Sequence, residues 1–411
     1  MDLLNTNDTM NDATMDAGRQ NCRYPTKDSS HSEKANFFET SAGPVSVHSS
    51  IADLPQELRS RAFAKQSKDF RYYEISAETL QQEFDCRYLV LQDKITGQTA
   101  LQPVFFAHQD VLEGLPASVS AGLAWPRRFF PNWLKMKVLF AGCPAGDGAL
   151  DCTEPWAVAA MEEALGIYAR QSKAAVVVLK DFPARYRAAL APLISGGYRR
   201  VPSMPACSLD LDFASFEEFM KERLGRKLRY KYIKLNKRPP IAWEVLTDVT
   251  AIAGELHALY KNTHDRSKMR FEQLTPEFFA RIGREMADRA RFFIWRVEGK
   301  IAAFALCLVH DDAMHHLNIG FDYSVSLDLQ LYYVTMRDLF CWALDHGLKR
   351  YETGQLNYDP KLHFRMKLAP LDLYSRHTSP LLNPLFKLAL GFLQPVRHDP
   401  TIQRFPNPGD L

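Results

Sequence analysis

Two apolar runs, RFFIWRV and IAAFALCLVH, flank Glu298-Gly299-Lys300, where the glycine allows a tight chain reversal. The pattern predicts a β-hairpin over 291–312. HHLNIGFD predicts a further strand over 315–322. Leu327, Leu331, Val334, Leu339 and Ala343 then recur at helical spacing, predicting a helix over 327–346 that Gly347 stops. LKRYETG reads as a short strand ending at Gly354. Asp359-Pro360, a cap followed by a first-turn proline, opens a basic helix in DPKLHFRMKL.

An earlier stretch has the same order. CRYLVLQDKITGQTALQPVFFAHQD, from Cys86, is a hairpin turning near Thr96-Gly97, and KMKVLFAGC is a strand. Residues 154–170 are helical, AAVVVLKDF is an apolar strand, and a helix over 186–194 stops at Gly196-Gly197. No residue-level repeat links the two stretches, so the duplication is one of pattern. It predicts an α+β chain of two tandem units.

Composition agrees with that size. A chain of 411 residues with 46% hydrophobic content can fill one large core or two medium ones, and its length favours two domains. A net charge of +3 gives no whole-chain argument for nucleic acid or membrane. Cys22, Cys86, Cys143, Cys152, Cys207, Cys307 and Cys341 are odd in number and scattered, several within apolar runs, which predicts reduced thiols and a cytoplasmic setting. Residues 1–44 are polar, with an early Asp and no apolar export core, and predict a flexible tail. No uncharged apolar run reaches the roughly 18 residues of a membrane span, so a soluble chain is expected. The expected organisation is a tail over 1–44, a first unit over 45–213, a connecting helix over 214–240, a second unit over 241–378 and an apolar tail over 379–411.

The connecting segment is strongly basic. In SFEEFMKERLGRKLRYKYIKLNKRPP, Ser215 and Glu218 have capping-box spacing and the two prolines 239 and 240 end the run. Lys221, Arg223, Arg226, Lys227, Arg229, Lys231, Lys234, Lys237 and Arg238 outnumber the carboxylate of Glu222 that could balance them. The excess predicts an anionic partner, although a solvated helix face also looks like this.

The basic run RLGRKLRYKYIKLNKR, then GKIAAFALCLVHDDAMHHLNIGFD, then LYYVTMRDLFCWALDHGLKRYETG and FRMKL together resemble the FemAB-like acyltransferases of the GNAT superfamily, over about residues 45–375. The resemblance implies two tandem GNAT-like units, each a mixed, mostly antiparallel sheet with helices on both faces. It implies transfer of an acyl or aminoacyl group to an amine. No resident cofactor follows; acyl-CoA, acyl carrier protein or aminoacyl-tRNA would be the co-substrate, and a small amine, amino sugar or peptide the acceptor. DNA is not expected. One departure stands out. Where GNAT enzymes carry a basic, glycine-containing pyrophosphate loop, this chain reads DYSVSLDLQLYY, without glycine and with Asp328. The earlier AGCPAGDGALD, with Gly142, Gly146 and Gly148, is a candidate phosphate loop that ordinary small-residue turns also produce.

Acyl transfer needs a neutral amine, a proton acceptor and N–H donors for the developing oxyanion. Strand alternation puts His315, Leu317 and Ile319 on one face and His316, Asn318, Gly320 and Asp322 on the other. His316 and Asp322 are the candidate bases. Tyr323, Tyr332 and Tyr333 are candidates for an acid or donor contact. Lys367 matches a lysine common in FemAB-like sequences, and Gly354 lies near it on the donor side. Arg226, Lys227 and Arg229 are candidates for gripping an anionic donor. HDRSKMR, with His264, Asp265, Arg266, Lys268 and Arg270, would read a carboxylate or phosphate, or be a solvated loop. The second unit is expected to carry the reaction.

C-x-x-C, H-E-x-x-H, G-x-x-x-x-G-K-[ST] and G-x-S-x-G are not found, and no metal is implied. The tail SPLLNPLFKLALGFLQPVRHDP is apolar from Leu381 to Val396, with Lys387 its charge before Arg397 and prolines 384 and 395 breaking it. It predicts a short helix that packs on the preceding unit, docks on a membrane or guides a lipid chain. The competing class is a degenerate, non-catalytic GNAT pair that recognises a peptide, glycan precursor or RNA.

Overall fold

The computed structural model describes residues 36–110, 135–267, 270–392, 394, 396 and 399–411. Most of the expected polar tail, together with Cys22, Lys268, Pro395 and Arg397, lies outside the described residues.

Fifteen strands among the described residues form two sheets. In chain order they are β1 (Asn36–Glu39), β2 (Pro44–His48), β3 (Asp85–Gln92), β4 (Thr99–Asp110), β5 (Lys135–Ala141), β6 (Val176–Pro183), β7 (Arg199–Pro202), β8 (Ala206–Asp210), β9 (Ala242–Leu246), β10 (Ala290–Val297), β11 (Lys300–His310), β12 (Ala313–Phe321), β13 (Arg350–Thr353), β14 (Lys367–Ala369) and β15 (Leu371–His377). The first sheet runs β1-β2-β3-β4-β5-β6-β15-β7 and the second β14-β8-β13-β12-β11-β10-β9. Each has one parallel pair, β5 with β6 and β12 with β13, and a helix crosses over between its members. Pro155–Gln171 is the first crossover; Tyr323–Leu329 and Leu331–Asp345 form the second. The expected order of elements is therefore present twice.

The hairpin turns follow from the sequence. Glu298 and Gly299 both have positive φ, 51° and 78°, as a two-residue primed turn requires. Elsewhere local breaks divide expected elements. Gln330, left-handed at φ 55°, splits the helix expected over 327–346. The basic segment is two helices, Phe216–Glu222 and Arg226–Leu235, with Gly225 extended at the second N-cap. Ser215 Oγ accepts from the Glu218 amide at 3.1 Å, and Glu218 Oε2 accepts from the Ala214 amide at 2.9 Å, so the expected cap forms. Pro192 interrupts the helix expected over 186–194, leaving Arg187–Leu190 and Pro192–Ser195. The basic helix expected at Asp359 is Tyr358–His363, after which the chain enters β14.

Two strands cross between the expected units. β8, from the first, pairs with β13 and β14, as Leu209 opposite Tyr351 shows; β15, from the end of the second, lies between β6 and β7. The boundaries expected at 213 and 378 separate chain segments and not sheets. Short strands of this kind carry a burial pattern but no mark of their partner, because pairing is set by non-local packing. β1 likewise lies within the stretch expected as tail.

The two sheets share an apolar core. Tyr72 of helix Phe70–Thr79 meets Phe278 of helix Pro276–Glu285 edge to face, with ring centroids 5.9 Å apart. Phe105 and Phe140 stack at 5.0 Å, and Phe271 joins them. Arg71 Nη1 donates to Asp288 Oδ1 at 2.8 Å on the rim of this contact. Among the described residues no helix is long and apolar enough to cross a membrane.

Candidate active site

A cavity of about 920 Å³ lies between the faces of the two sheets. Alternation turns Met136, Val138 and Phe140 of β5, and Val176, Val178 and Lys180 of β6, toward it. The second sheet contributes the beginning of β12 and the end of β13. This is where the parallel pair separates: β12 and β13 pair only over 313–316 with 350–353. Beyond that point β12 continues paired with β11 on its other side, and the chain after β13 turns away at Gly354.

A bulge modifies β12 there. Leu306 pairs with Asn318 and Cys307 with His316, leaving Leu317 as the extra residue. Simple alternation therefore fails at this point, and His315, His316, Leu317 and Asn318 all border the cavity. The opposing loop is held by Lys361 of helix Tyr358–His363. Its buried ammonium donates to the carbonyls of Gly354, Gln355 and Leu356, the last at 2.7 Å, and burial pulls it down to about 8. Leu356 and Asn357 take left-handed φ of 66° and 50° to make this turn.

The polar floor comes from both sheets. Lys180 Nζ lies 2.8 Å from Asp181 Oδ2 and donates to the Gly146 carbonyl at 3.1 Å. Burial works against both charges of this pair. For Lys180, Asp181 and Glu272 outweigh it and leave the ammonium raised; for Asp181, Lys180, Ser203 and Gln355 outweigh it and leave the carboxyl lowered. Glu272 behaves differently. Burial pushes its carboxyl up to about 7, and Lys180 offsets only part of that. It is the carboxyl in the cleft whose proton is exchangeable near neutral pH. Asn318 Oδ1 is buried and without a hydrogen-bond partner.

His316 has a settled role. Its Nε2 lies 3.2 Å from the Asn318 carbonyl, which can only accept, so Nε2 carries the proton and Nδ1 accepts from Tyr351 Oη at 2.5 Å. Both nitrogens are used. Burial first, and Lys361 second, push this imidazole down to about 4, so it stays neutral and has no free lone pair. His315 pairs with Glu352 at 3.0 Å, which holds that carboxyl below its ordinary value.

The other expected site residues lie elsewhere. Asp322 caps helix Tyr323–Leu329, its Oδ1 accepting from the Ser324 amide at 2.9 Å and from Ser324 Oγ at 2.6 Å. Those bonds hold its carboxyl low. Tyr323 carries the Arg266 guanidinium 4.0 Å from its ring centroid. Tyr332 and Tyr333 pack with Phe364, and the Tyr333 carbonyl accepts from Tyr232 Oη at 3.0 Å. Lys367 is exposed and pairs with Asp210 at 2.8 Å. Arg226 and Lys227 are exposed on the basic helix, while Arg229 is half-buried and donates to the Leu224 carbonyl at 3.3 Å. None of these borders the cavity; His316 and Gly354 do. HDRSKMR acts locally: His264 Nε2 lies 3.1 Å from the Glu272 carbonyl and Arg270 Nη2 donates to the Asp265 carbonyl at 2.7 Å. His264 thereby anchors the backbone that presents Glu272.

Sequence reasoning missed Glu272, Lys180, Asp181, Asn318 and Lys361. A signal existed for one pair only: the apolar strand AAVVVLKDF ends in Lys-Asp, where a strand leaves the core. The first sheet supplies Lys180 and Asp181 to the same cleft as Glu272 and Asn318, so both expected units line it.

Residues 222–362 match the family model described as Acetyltransferase (GNAT) domain. The matched stretch is GNAT-like. Two curated proteins from strains of Mycobacterium tuberculosis, both named Putative 8-amino-7-oxononanoate synthase 2, are 27% identical over 205 residues, 47% of this chain. The chain spans 26% of the length of these relatives. Among solved structures, FemX superposes with a TM-score of 0.52 at 12% identity, covering 81% of this chain and 98% of that one. L-PGS from Bacillus licheniformis gives 0.49 at 12% identity, covering 83% and 96%. The FemX likeness is one of fold and extends over both sheets.

Proposed function

We propose that this protein is an acyltransferase that moves an acyl or aminoacyl group from a thioester or ester donor to a primary amine within the cleft between the sheets, with Glu272 as the proton acceptor. The observation that carries the reading is the Glu272 carboxyl at about 7 on a cleft floor shared with Lys180 and Asn318. An amine bound there gives up a proton to Glu272, and its lone pair attacks the acyl carbonyl carbon. The C–N bond forms, the tetrahedral oxyanion collapses, and the thiolate or alkoxide leaves with a proton returned to it. Asn318 Oδ1 accepts from the amine N–H and orients it. The Lys180 ammonium is placed to stabilise negative charge developing on the carbonyl oxygen.

The donor is carried on acyl carrier protein or tRNA, or is a CoA thioester held by contacts outside the usual loop. Two features support this. Asp322 already occupies the Ser324 amide where the superfamily offers N–H groups to pyrophosphate. Arg226, Lys227 and Lys234 face solvent beside the exposed Tyr230, a surface suited to an anionic carrier. The exposed leucines after residue 380 support contact with a lipid surface.

Single-turnover mixtures test the reading. Purified protein is combined with labelled acyl-CoA, acyl carrier protein or aminoacyl-tRNA and a panel of primary amines, and amide product is quantified by mass spectrometry. Enzyme-dependent amide from one donor class is expected. Donor hydrolysis without amide from every donor would overturn it.

A further inference from the structure

Beside its polar lining, which includes Lys68, Asp147, Arg185 and Glu352, the cleft has one continuous hydrocarbon wall. Val138, Val176 and Val178 line it from the first sheet, Leu317 from the second, and Phe386 and Leu390 from the C-terminal helix Asn383–Phe392. Phe386 and Leu390 are four residues apart and so share one helix face. That helix is fixed in place. Asn383 Nδ2 donates to the Gly197 carbonyl at 2.9 Å, the His377 amide donates to Asn383 Oδ1 at 3.0 Å, and Arg199 Nη1 donates to the Lys387 carbonyl at 2.6 Å.

Its opposite face is also apolar: Leu385 and Leu388 are 66% and 57% exposed, and Leu381 and Leu382 just before the helix are 90% and 51% exposed. A helix meant only to cover a core would be polar on its outer side. Here one apolar face borders the cleft and the other meets solvent, so aliphatic surface continues from inside the site to the outside of the protein. At about 920 Å³ the cleft is larger than an amine and a short acyl group need, and sits high in the range of roughly 300–1,000 Å³ of small-molecule sites.

We infer that one of the two substrates carries a long alkyl chain, which lies along the Val138, Val176 and Leu317 wall and leaves past Phe386 and Leu390, with the outer leucines resting on the lipid surface that supplies it. The inference builds on acyl transfer in this cleft and adds the class of substrate. A shorter chain would leave the valine wall facing water, whereas each additional pair of buried methylenes raises affinity roughly tenfold.

The test reads binding, not turnover. Full-length protein is titrated with cis-parinaric acid, and saturated fatty acids of about eight to sixteen carbons compete for it. Competition is expected to strengthen about tenfold for each two carbons. Leu390→Trp and Val176→Trp, which fill the lane, are expected to weaken the long competitors at least tenfold and leave octanoate nearly unchanged; Leu390→Ala, which only removes volume, should move the preference toward longer chains. No binding of cis-parinaric acid, competition independent of chain length, or variants indistinguishable from the parent would each overturn the inference. Chain discrimination in a protein that forms no amide would sink the acyl-transfer reading and leave the alkyl lane standing. Amide formation without chain discrimination would do the reverse.

Discussion

Glu272→Gln keeps the shape of the side chain and removes its ability to take a proton. A carboxyl raised from 4.5 to about 7 costs at most about 3 kcal/mol more to ionise in the folded protein than in the unfolded chain. Between those two values the native state holds a proton that the unfolded state has released. The corresponding stability is fully present below about 4.5 and is lost as pH rises through 7. The parent should therefore lose stability across that window relative to Glu272→Gln. Denaturant unfolding at pH 4 should give nearly equal values for the two proteins, and at pH 8 the variant should be the more stable, by up to about 3 kcal/mol. Turnover should move the other way. Loss of a positioned base costs typically about 10²–10⁴-fold, and the parent's kcat/KM should climb with pH through about 7 while the residual rate of the variant lacks that step. The reasoning fails if the variant retains parental turnover, or if the two stability curves run parallel from pH 4 to 8.

Three further perturbations separate structural from chemical roles. Lys361→Met removes the donor shared by the Gly354, Gln355 and Leu356 carbonyls; unfolding should cost about 1–3 kcal/mol less, and proteolysis should cut near Asn357 faster than in the parent. Asp322→Ala loses a helix cap, so a stability loss of about 0.5–2 kcal/mol with kcat unchanged is expected, and a collapse of kcat in a folded variant would return Asp322 to the chemistry. Arg226→Gln with Lys227→Gln should weaken donor affinity at low salt and flatten its dependence on ionic strength; identical salt curves would place the carrier elsewhere.

Order and type of the elements were legible because hairpins, crossover helices and apolar strands leave strong periodicities. Glu298-Gly299 and Ser215 with Glu218 show local rules at work, each producing the predicted geometry. The strand exchange was not legible: ACSLD and LDLYSRH fit either sheet, and only the assembled core decides between them. The site was legible in part. The polar strand HHLNIGFD does border the cleft, but the Leu317 bulge redirects its faces, and the hydrogen bonds of His316 leave it structural. Asp322 and Tyr323 follow the polar strand directly and Lys367 opens β14, yet none of the three lines the cavity. Glu272 follows no motif, and its carboxyl is raised by burial that only the assembled cleft produces, with Lys180 of the other sheet partly offsetting it.

The central claim is one reaction cleft fed by both sheets, and photolabelling tests it most directly. An acyl donor bearing a diazirine on its acyl group is irradiated with the protein, and the modified peptides are identified by mass spectrometry. Adducts are predicted on peptides from both walls, within 176–185 and within 313–318 or 271–274, and competition by unlabelled donor should remove them together. Adducts confined to the surface around Tyr323 and Lys367, with both cleft walls unlabelled, would contradict it.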